Sequence, residues 1–190
     1  MDLAAWDEQY RKKADSAAEH ESAPNPLLVE AARDLRPGRA LDLACGTGRN
    51  ALWLAQHRWN VTAIDGSVAA VEILRGRAGG AGVTIDAQVA DLEDPGFTIA
   101  PAGYDLIAMC YYFQRNLIEP CKRGLLPGGV MVAIALLIEP GKELSTFRLR
   151  PGELRGYFAD WEVLHYRENS DAWEHKVAEL VARRPAPANM

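Results

Sequence analysis

The chain has 190 residues, 48% of them hydrophobic and 25% charged, which is the make-up of a globular protein long enough to bury a sizeable core. A net charge of −5 and a pI near 5.4 argue against broad electrostatic contact with DNA, RNA or anionic lipid. Cys45, Cys110 and Cys121 show no CxxC spacing, so neither a disulfide framework nor a zinc site is suggested. No secretory pattern opens the chain, and its longest apolar run, residues 129–138, is too short to span a bilayer. A cytoplasmic protein without a membrane partner is expected.

Residues 1–23 are polar and helix-prone, with Trp6 and Tyr10 four apart on one helical face. Ala23-Pro24-Asn25-Pro26 interrupts that pattern, and residues 27–35 resume it as a short amphipathic helix. The first 36 residues are therefore expected to form a helical arm, either solvated or folded as a lid over a pocket. A first strand over 40–44 runs into the turn Cys45-Gly46-Thr47-Gly48, and a helix pattern follows over 51–57. Glycines suit such a turn, because the backbone must bend sharply and admit a ligand with no Cβ in the way. The second strand covers 60–64 and ends at Asp65. Ser67 is placed to cap the next helix, whose Val68, Val71 and Leu74 fall at helical spacing, and Gly79-Gly80 closes it.

Val83, Ile85, Ala87 and Val89 alternate as a third strand before Asp91. The fourth strand is expected at 104–110, with Tyr111, Tyr112 and Phe113 just past it. A helix beginning at Pro120, a residue suited to a first helical position, leads to Pro127-Gly128-Gly129 and a fifth strand over 130–138. Alternating strands and helices predict right-handed βαβ units and a parallel sheet covered on both faces. Past a loop at 139–150 and a short helix at 151–158, strands at 161–167 and 175–183 are separated by a short polar turn. That link is too short for a parallel crossover, so the pair must be antiparallel. The whole reads as one domain over 1–184 with a disordered tail over 185–190 and no internal repeats.

Gly46, Gly48 and Ala51 also satisfy a loose GxGxx(G/A) dinucleotide pattern, with Asp65 at the place of a ribose-binding acid. Three features weigh against a dinucleotide. Asp42 lies inside the first strand, Asp91 closes the third, and the chain ends in a hairpin rather than a further βαβ unit.

The stretch LDLACGTGRN resembles motif I of class I S-adenosylmethionine (SAM)-dependent methyltransferases. VTAIDGS around Asp65 is similar to the acidic segment that follows, ADLED around Asp91 to motif II, YDLIAMC to the strand-four motif and LLPGG to the turn before strand five. The arm WDEQY and the tail segments GELRGYF, DWE and YRE resemble the TehB-like tellurite-resistance methyltransferases. The resemblance implies a Rossmann-like α/β fold, with a seven-stranded, mostly parallel sheet, helices on both faces and a C-terminal antiparallel hairpin. It implies SAM as cofactor, S-adenosylhomocysteine as product and a small-molecule methyl acceptor as partner, with no nucleic acid.

Cofactor contacts are implied for Asp42, Ala44, Gly46, Gly48, Asn50, Asp65, Gly66, Ser67, Asp91, Leu92, Met109 and Cys110, and from the arm for Trp6, Tyr10 and Arg11. Asp42 would orient the cofactor ammonium or hold the glycine turn in shape. Asp65 would accept the ribose hydroxyls, and Asp91 with Leu92 would meet the adenine. Tyr111, Tyr112 and Arg115 are the candidates on the acceptor side. Cys45 and Cys110 read as small buried apolar groups, and His20, His57, His165 and His175 form no cluster at metal-ligand spacing, so no metal is expected. Two other readings stay open, a catalytically silent SAM-binding module and an NAD(P)-binding oxidoreductase.

Overall fold

A computed structural model describes residues 2–14, 23–138, 146–172 and 174–186 of the chain. Its seven strands make a mixed sheet, as expected, and the chain divides into two compact units, residues 1–98 and 99–190.

The first unit holds α1 (Leu3–Ala14), α2 (Pro26–Arg33), β1 (Arg39–Leu43), α3 (Arg49–Gln56), β2 (Asn60–Asp65), α4 (Val68–Gly80) and β3 (Asp86–Val89). Its strands run parallel in the order β3-β2-β1, with Asp42 opposite Ala63 and Asp65 opposite Val89. Ala40, Leu41, Leu43, Val61 and Ala63 are all but inaccessible, which is how central parallel strands come to be apolar on both faces. Fully burying each of the larger aliphatic chains stabilises by about 1.5–3 kcal/mol. Helix α2 starts where Asn25 caps it, accepting from the Leu27 amide at 2.9 Å, while Pro26 takes the first helical position, which lacks a backbone partner anyway. The Asn25 amide in turn donates to the Asn50 side chain at 2.9 Å, tying the start of α2 to α3.

The third strand is shorter than the alternation predicts. Val83 still donates its amide to Ala78 at 3.0 Å to close α4, so the chain joins the sheet only at Asp86. Val89 remains 44% exposed.

The second unit holds β4 (Tyr104–Cys110), α5 (Ile118–Gly124), β5 (Leu125–Leu136), α6 (Glu153–Tyr157), β6 (Glu162–Ser170) and β7 (Lys176–Arg183). Strand β4 pairs with β5 in parallel, whereas β7 runs antiparallel to both β5 and β6. The predicted hairpin is therefore present, with β6 reaching Ser170 and its turn closed by the Asp171 side chain on the His175 amide at 2.8 Å.

Two expectations are corrected here. Helix α5 begins at Ile118, after a 3₁₀ turn at Arg115–Leu117, which puts Pro120 third rather than first. The amides of a first helical turn have no helical acceptor, so proline there sacrifices no bond. Strand β5 begins at Leu125, and Pro127-Gly128-Gly129 interrupts it rather than preceding it: pairing passes from Tyr104–Leu125 to Leu106–Val130. Gly128 takes φ +79° at that interruption and donates its amide to Arg184 at 2.9 Å.

Of the 139–150 loop, only 146–150 falls within the described residues, and there Leu149 bridges Leu137. Of the tail expected at 185–190, residues 187–190 lie outside them. Among the described residues no helix is long and apolar enough to cross a membrane.

Candidate functional site

The segment after β1 gathers three residues of positive φ within five positions: Ala44 at 52°, Gly46 at 53° and Gly48 at 81°. Left-handed backbone is awkward for alanine, and such residues persist only where their surroundings hold them. Here Cys45 donates to Ile64 at 3.0 Å, Gly48 to Cys45 at 2.9 Å, and Leu52 to Gly48 at 2.8 Å as α3 begins. A Cβ on Gly48 would lie 2.1 Å from Leu74, so this glycine is required by packing against α4 as well as by its φ.

Asp65 closes the turn from the end of β2. Its two oxygens accept from the amides of Gly46 at 2.8 Å and Ser67 at 2.9 Å. Burial pushes its carboxyl upward, and the Ser67, Gly46 and Gly66 amides pull back without cancelling the shift. The Ala90 amide donates to the Asp65 carbonyl at 3.0 Å, which brings the end of β3 to the same place. Beyond it Asp91 is exposed and accepts from the Glu93 amide at 2.8 Å, while Leu92 is buried.

Asp42 is 1% exposed, and its Oδ2 has no hydrogen-bond partner among the described residues. Burial drives its carboxyl up to about 7, against the opposing pull of the Ala51 amide and Arg49. A buried, half-satisfied carboxylate is expensive unless a cation or donor reaches it.

Helix α1 lies over this turn. Leu3, Asp7 and Tyr10, spaced i, i+4 and i+7, form its inner face. A Cβ on Gly66 would meet Leu3 at 2.5 Å and one on Gly46 the Tyr10 hydroxyl at 2.8 Å. Asp7 Oδ1 accepts from the Ser67 hydroxyl at 2.7 Å and the Ala69 amide at 2.8 Å, which holds its carboxyl below the usual range. Ser67 itself caps α4 through the Ala70 amide at 3.1 Å.

Reading the sequence missed Asp7, although its spacing from Leu3 and Tyr10 was a usable signal. Trp6 lies 6.0 Å from Tyr10 between ring centres yet is 42% exposed, and Arg11 pairs with Asp7 at 2.7 Å with its side chain largely in solvent. Asn50 is buried with its carbonyl engaged by Asn25, so it serves as a brace for α3.

In the second unit, β4 delivers Met109, fully buried, and Cys110, half-buried, to a turn at Tyr111. Tyr111 adopts φ 61° and donates its amide to Ile134 at 2.7 Å. Tyr112 is buried, with its hydroxyl donating to the Gln114 side chain and its ring 5.8 Å from that of Phe147.

The structure gives Arg115 a different task from the one expected of an acceptor-side residue. Its guanidinium grips Glu153 at 2.7 and 3.0 Å and donates to the carbonyls of Thr146 at 2.8 Å and Arg148 at 3.0 Å. Glu153 also accepts from the Arg150 amide at 2.9 Å. Arg115 thus anchors residues 146–153, and each of its charged bonds is spent within the protein. The buried thiols are poor nucleophiles: burial raises Cys45 well above the ordinary thiol range and Cys121 to about 12.

A glycine turn between two buried acids, on a mixed sheet ending in an antiparallel strand pair, defines the fold of class I SAM-dependent methyltransferases, and solved structures of that class share it. The crystal structure of TehB from Haemophilus influenzae matches with a TM-score of 0.75 at 25% identity, covering 94% of this chain and 67% of that one. The family model for tellurite resistance protein TehB matches residues 4–183, and the chain belongs to that family.

Among its relatives, Hemagglutinin 1 of Eikenella corrodens is 29% identical over 151 residues, which is 74% of this chain and 49% of that protein. The probable S-adenosyl-L-methionine-dependent methyltransferase TehB of H. influenzae is 26% identical over 173 residues, 86% of this chain and 58% of the relative. The chain therefore spans about half to three-fifths of the length of these curated relatives.

Proposed function

We propose that the chain is a SAM-dependent methyltransferase that acts on a small acceptor such as a metalloid oxyanion, thiol or heterocycle. The observation that carries this reading is the buried Asp42 with its unpartnered oxygen, placed just before the Ala44–Gly48 turn. A carboxylate so placed suits the ammonium of the cofactor's amino-acid end, which would supply the donor that the described residues do not give Oδ2.

Asp65 suits the ribose diol. Its oxygens accept the Gly46 and Ser67 amides, with the Gly66 amide acting on the same carboxyl, and a remaining lone pair can take a hydroxyl. Gly46 and Gly48 let the backbone approach the amino-acid end, while Asp91 and Leu92, next along the chain from β3, suit the adenine. Tyr10, at Gly46, would close over the turn.

Bound SAM supplies an electrophilic methyl group for in-line displacement. The protein's part in such a reaction is alignment and exclusion of water. A soft or already ionised acceptor needs no general base, so none has to be found. Tyr112 and Arg115, two of the residues expected on the acceptor side, already hold Gln114 and Glu153. The net charge of −5 favours a small acceptor over a nucleic acid.

Calorimetry with SAM, S-adenosylhomocysteine and NAD tests the donor, and heat with NAD but with neither adenosyl ligand would sink the proposal. Turnover against a panel of thiols, metalloid oxyanions and phenols tests catalysis. Adenosyl binding with no turnover on any acceptor would favour a silent SAM-binding module instead.

A further inference from the structure

A second concavity in the first unit shares no lining residue with the turn. It is a cleft of about 400 Å³ between α3 and α4, lined by Arg49, Leu52, Trp53, Gln56, Arg77 and the end of α4 at Gly80 and Ala81, with Pro24 at its edge. That volume falls within the range of small-molecule sites. Among the described residues no acidic side chain lines it, in a chain with 26 Asp and Glu against 21 Lys and Arg.

Arg77 is the centre of the cleft's chemistry. Its Nη1 donates to the carbonyl of Thr47 at 2.9 Å and to the Thr47 hydroxyl at 3.1 Å, which fixes the guanidinium plane. Among the described residues no carboxylate pairs with it, although it is half-buried and burial lowers its hold on its proton. A guanidinium has five N–H donors in a rigid fork, so with Nη1 committed to Thr47 the remaining donors are available to a ligand. Arg49, on the facing helix, adds a second positive charge to the same lining.

Trp53 and Leu52 supply the larger apolar groups of the lining. Trp53 is held by a stack on His57, with ring centres 4.0 Å apart and 25° between planes, and His57 Nδ1 lies 2.7 Å from the Trp53 carbonyl. Leu52 and Ala81 also line the cleft, and among the described residues a Cβ at Gly80 would meet nothing within 4 Å. An indole held by His57 and a guanidinium held by Thr47, lining one cleft, suit a flat ring that carries an anionic group.

We propose that this cleft binds a small aromatic or heterocyclic molecule bearing a phosphate or carboxylate, with Arg77 on the anion and Trp53 against the ring. The cleft adjoins the proposed cofactor turn through Arg77 and Thr47 but shares no lining residue with it, and the proposal does not depend on methyl transfer.

The test is calorimetric titration of the full chain with phenyl phosphate, benzoate and inorganic phosphate. Phenyl phosphate or benzoate should bind more tightly than inorganic phosphate, and more weakly as salt is raised. Arg77→Gln should lower the affinity about tenfold or more, as expected for loss of a charged hydrogen-bond partner. Because Arg77 also braces Thr47, Gln56→Glu serves as the second variant: it adds a negative charge to the cleft at an exposed position and should weaken binding while leaving the thermal midpoint in place. Saturating S-adenosylhomocysteine should not displace the ligand.

Three results would overturn the proposal: no binding of either ring-bearing anion, equal affinities for wild type and Gln56→Glu, or full competitive displacement by S-adenosylhomocysteine. The last would place the anion in the turn.

Discussion

The turns after β1 and after β4 begin alike and are finished differently. Each follows a parallel strand, and each holds a non-glycine residue at positive φ, Ala44 at 52° and Tyr111 at 61°. Before the first, Asp42 is buried with an oxygen that nothing in the described protein satisfies. After the second, the polar groups close on one another: Tyr112 on Gln114, and Arg115 on Glu153 and two carbonyls. The contrast teaches where to look for a ligand. A charge left unpaired at the expense of stability marks a place kept for something else, whereas a fully paired charge marks structure.

Asp42→Asn should show the largest effect on that contrast. The Asp42 carboxyl titrates near 7 in the folded chain, above its ordinary 3.8. Between those values the folded protein holds a proton that the unfolded chain has released, so stability falls as pH rises, by at most about 1.4 kcal/mol per pH unit. Urea midpoints at about pH 5 and about pH 8 should therefore draw apart in the wild type and move together in the variant. A slope unchanged by the substitution would remove Asp42 as its source. Asparagine should also weaken adenosyl binding by removing the charge proposed to meet the ammonium.

Asp65→Ala comes next. It deprives the Gly46 and Ser67 amides of their acceptor and removes both proposed ribose contacts, so affinity for S-adenosylhomocysteine should fall by about 1.5–3 kcal/mol. Unchanged affinity in calorimetry would end that assignment. Arg115→Ala should behave oppositely to both acids, lowering stability by about 1–2 kcal/mol, since the pair with Glu153 is partly exposed. Adenosyl affinity should stay as it was. A loss of binding without a loss of stability would return Arg115 to the site.

Asp7→Ala should have the smallest effect and the most local one. It removes the acceptor for Ser67 and Ala69, and hydrogen exchange in α1 should quicken while β1 and β2 stay protected. The Asp7 carboxyl is held low, so the latch should persist above its unfolded pKa and weaken as pH falls through the lowered value.

Much of the fold was legible because apolar periodicity and turn chemistry are local. The β4 boundaries, the Ser67 cap and the antiparallel end all follow from neighbours in sequence. The β3 start was not legible, because an alternating pattern cannot reveal that Val83 is still closing a helix. Nor could Pro127-Gly128-Gly129 be read as an interruption within β5, since that depends on pairing with Arg184 far along the chain. The positions of the glycine turn and of Asp42, Asp65 and Asp91, one inside a strand and two at or past strand ends, stood out in the sequence. The tasks of Asn50, Tyr112 and Arg115 did not, because each is decided by a partner that the chain folds back to provide.

The sequence by itself determined the order of strands and helices, the sharp turn at Gly46 and Gly48, and the placing of acids at strand ends, all consequences of backbone preference and periodicity. Only the tertiary structure decided which charges are spent and which are held open. Burial and pairing are properties of assembled surroundings: a charged side chain becomes a tether at Arg115, where Glu153 meets it, and an unfilled demand at Asp42, whose Oδ2 no described residue satisfies.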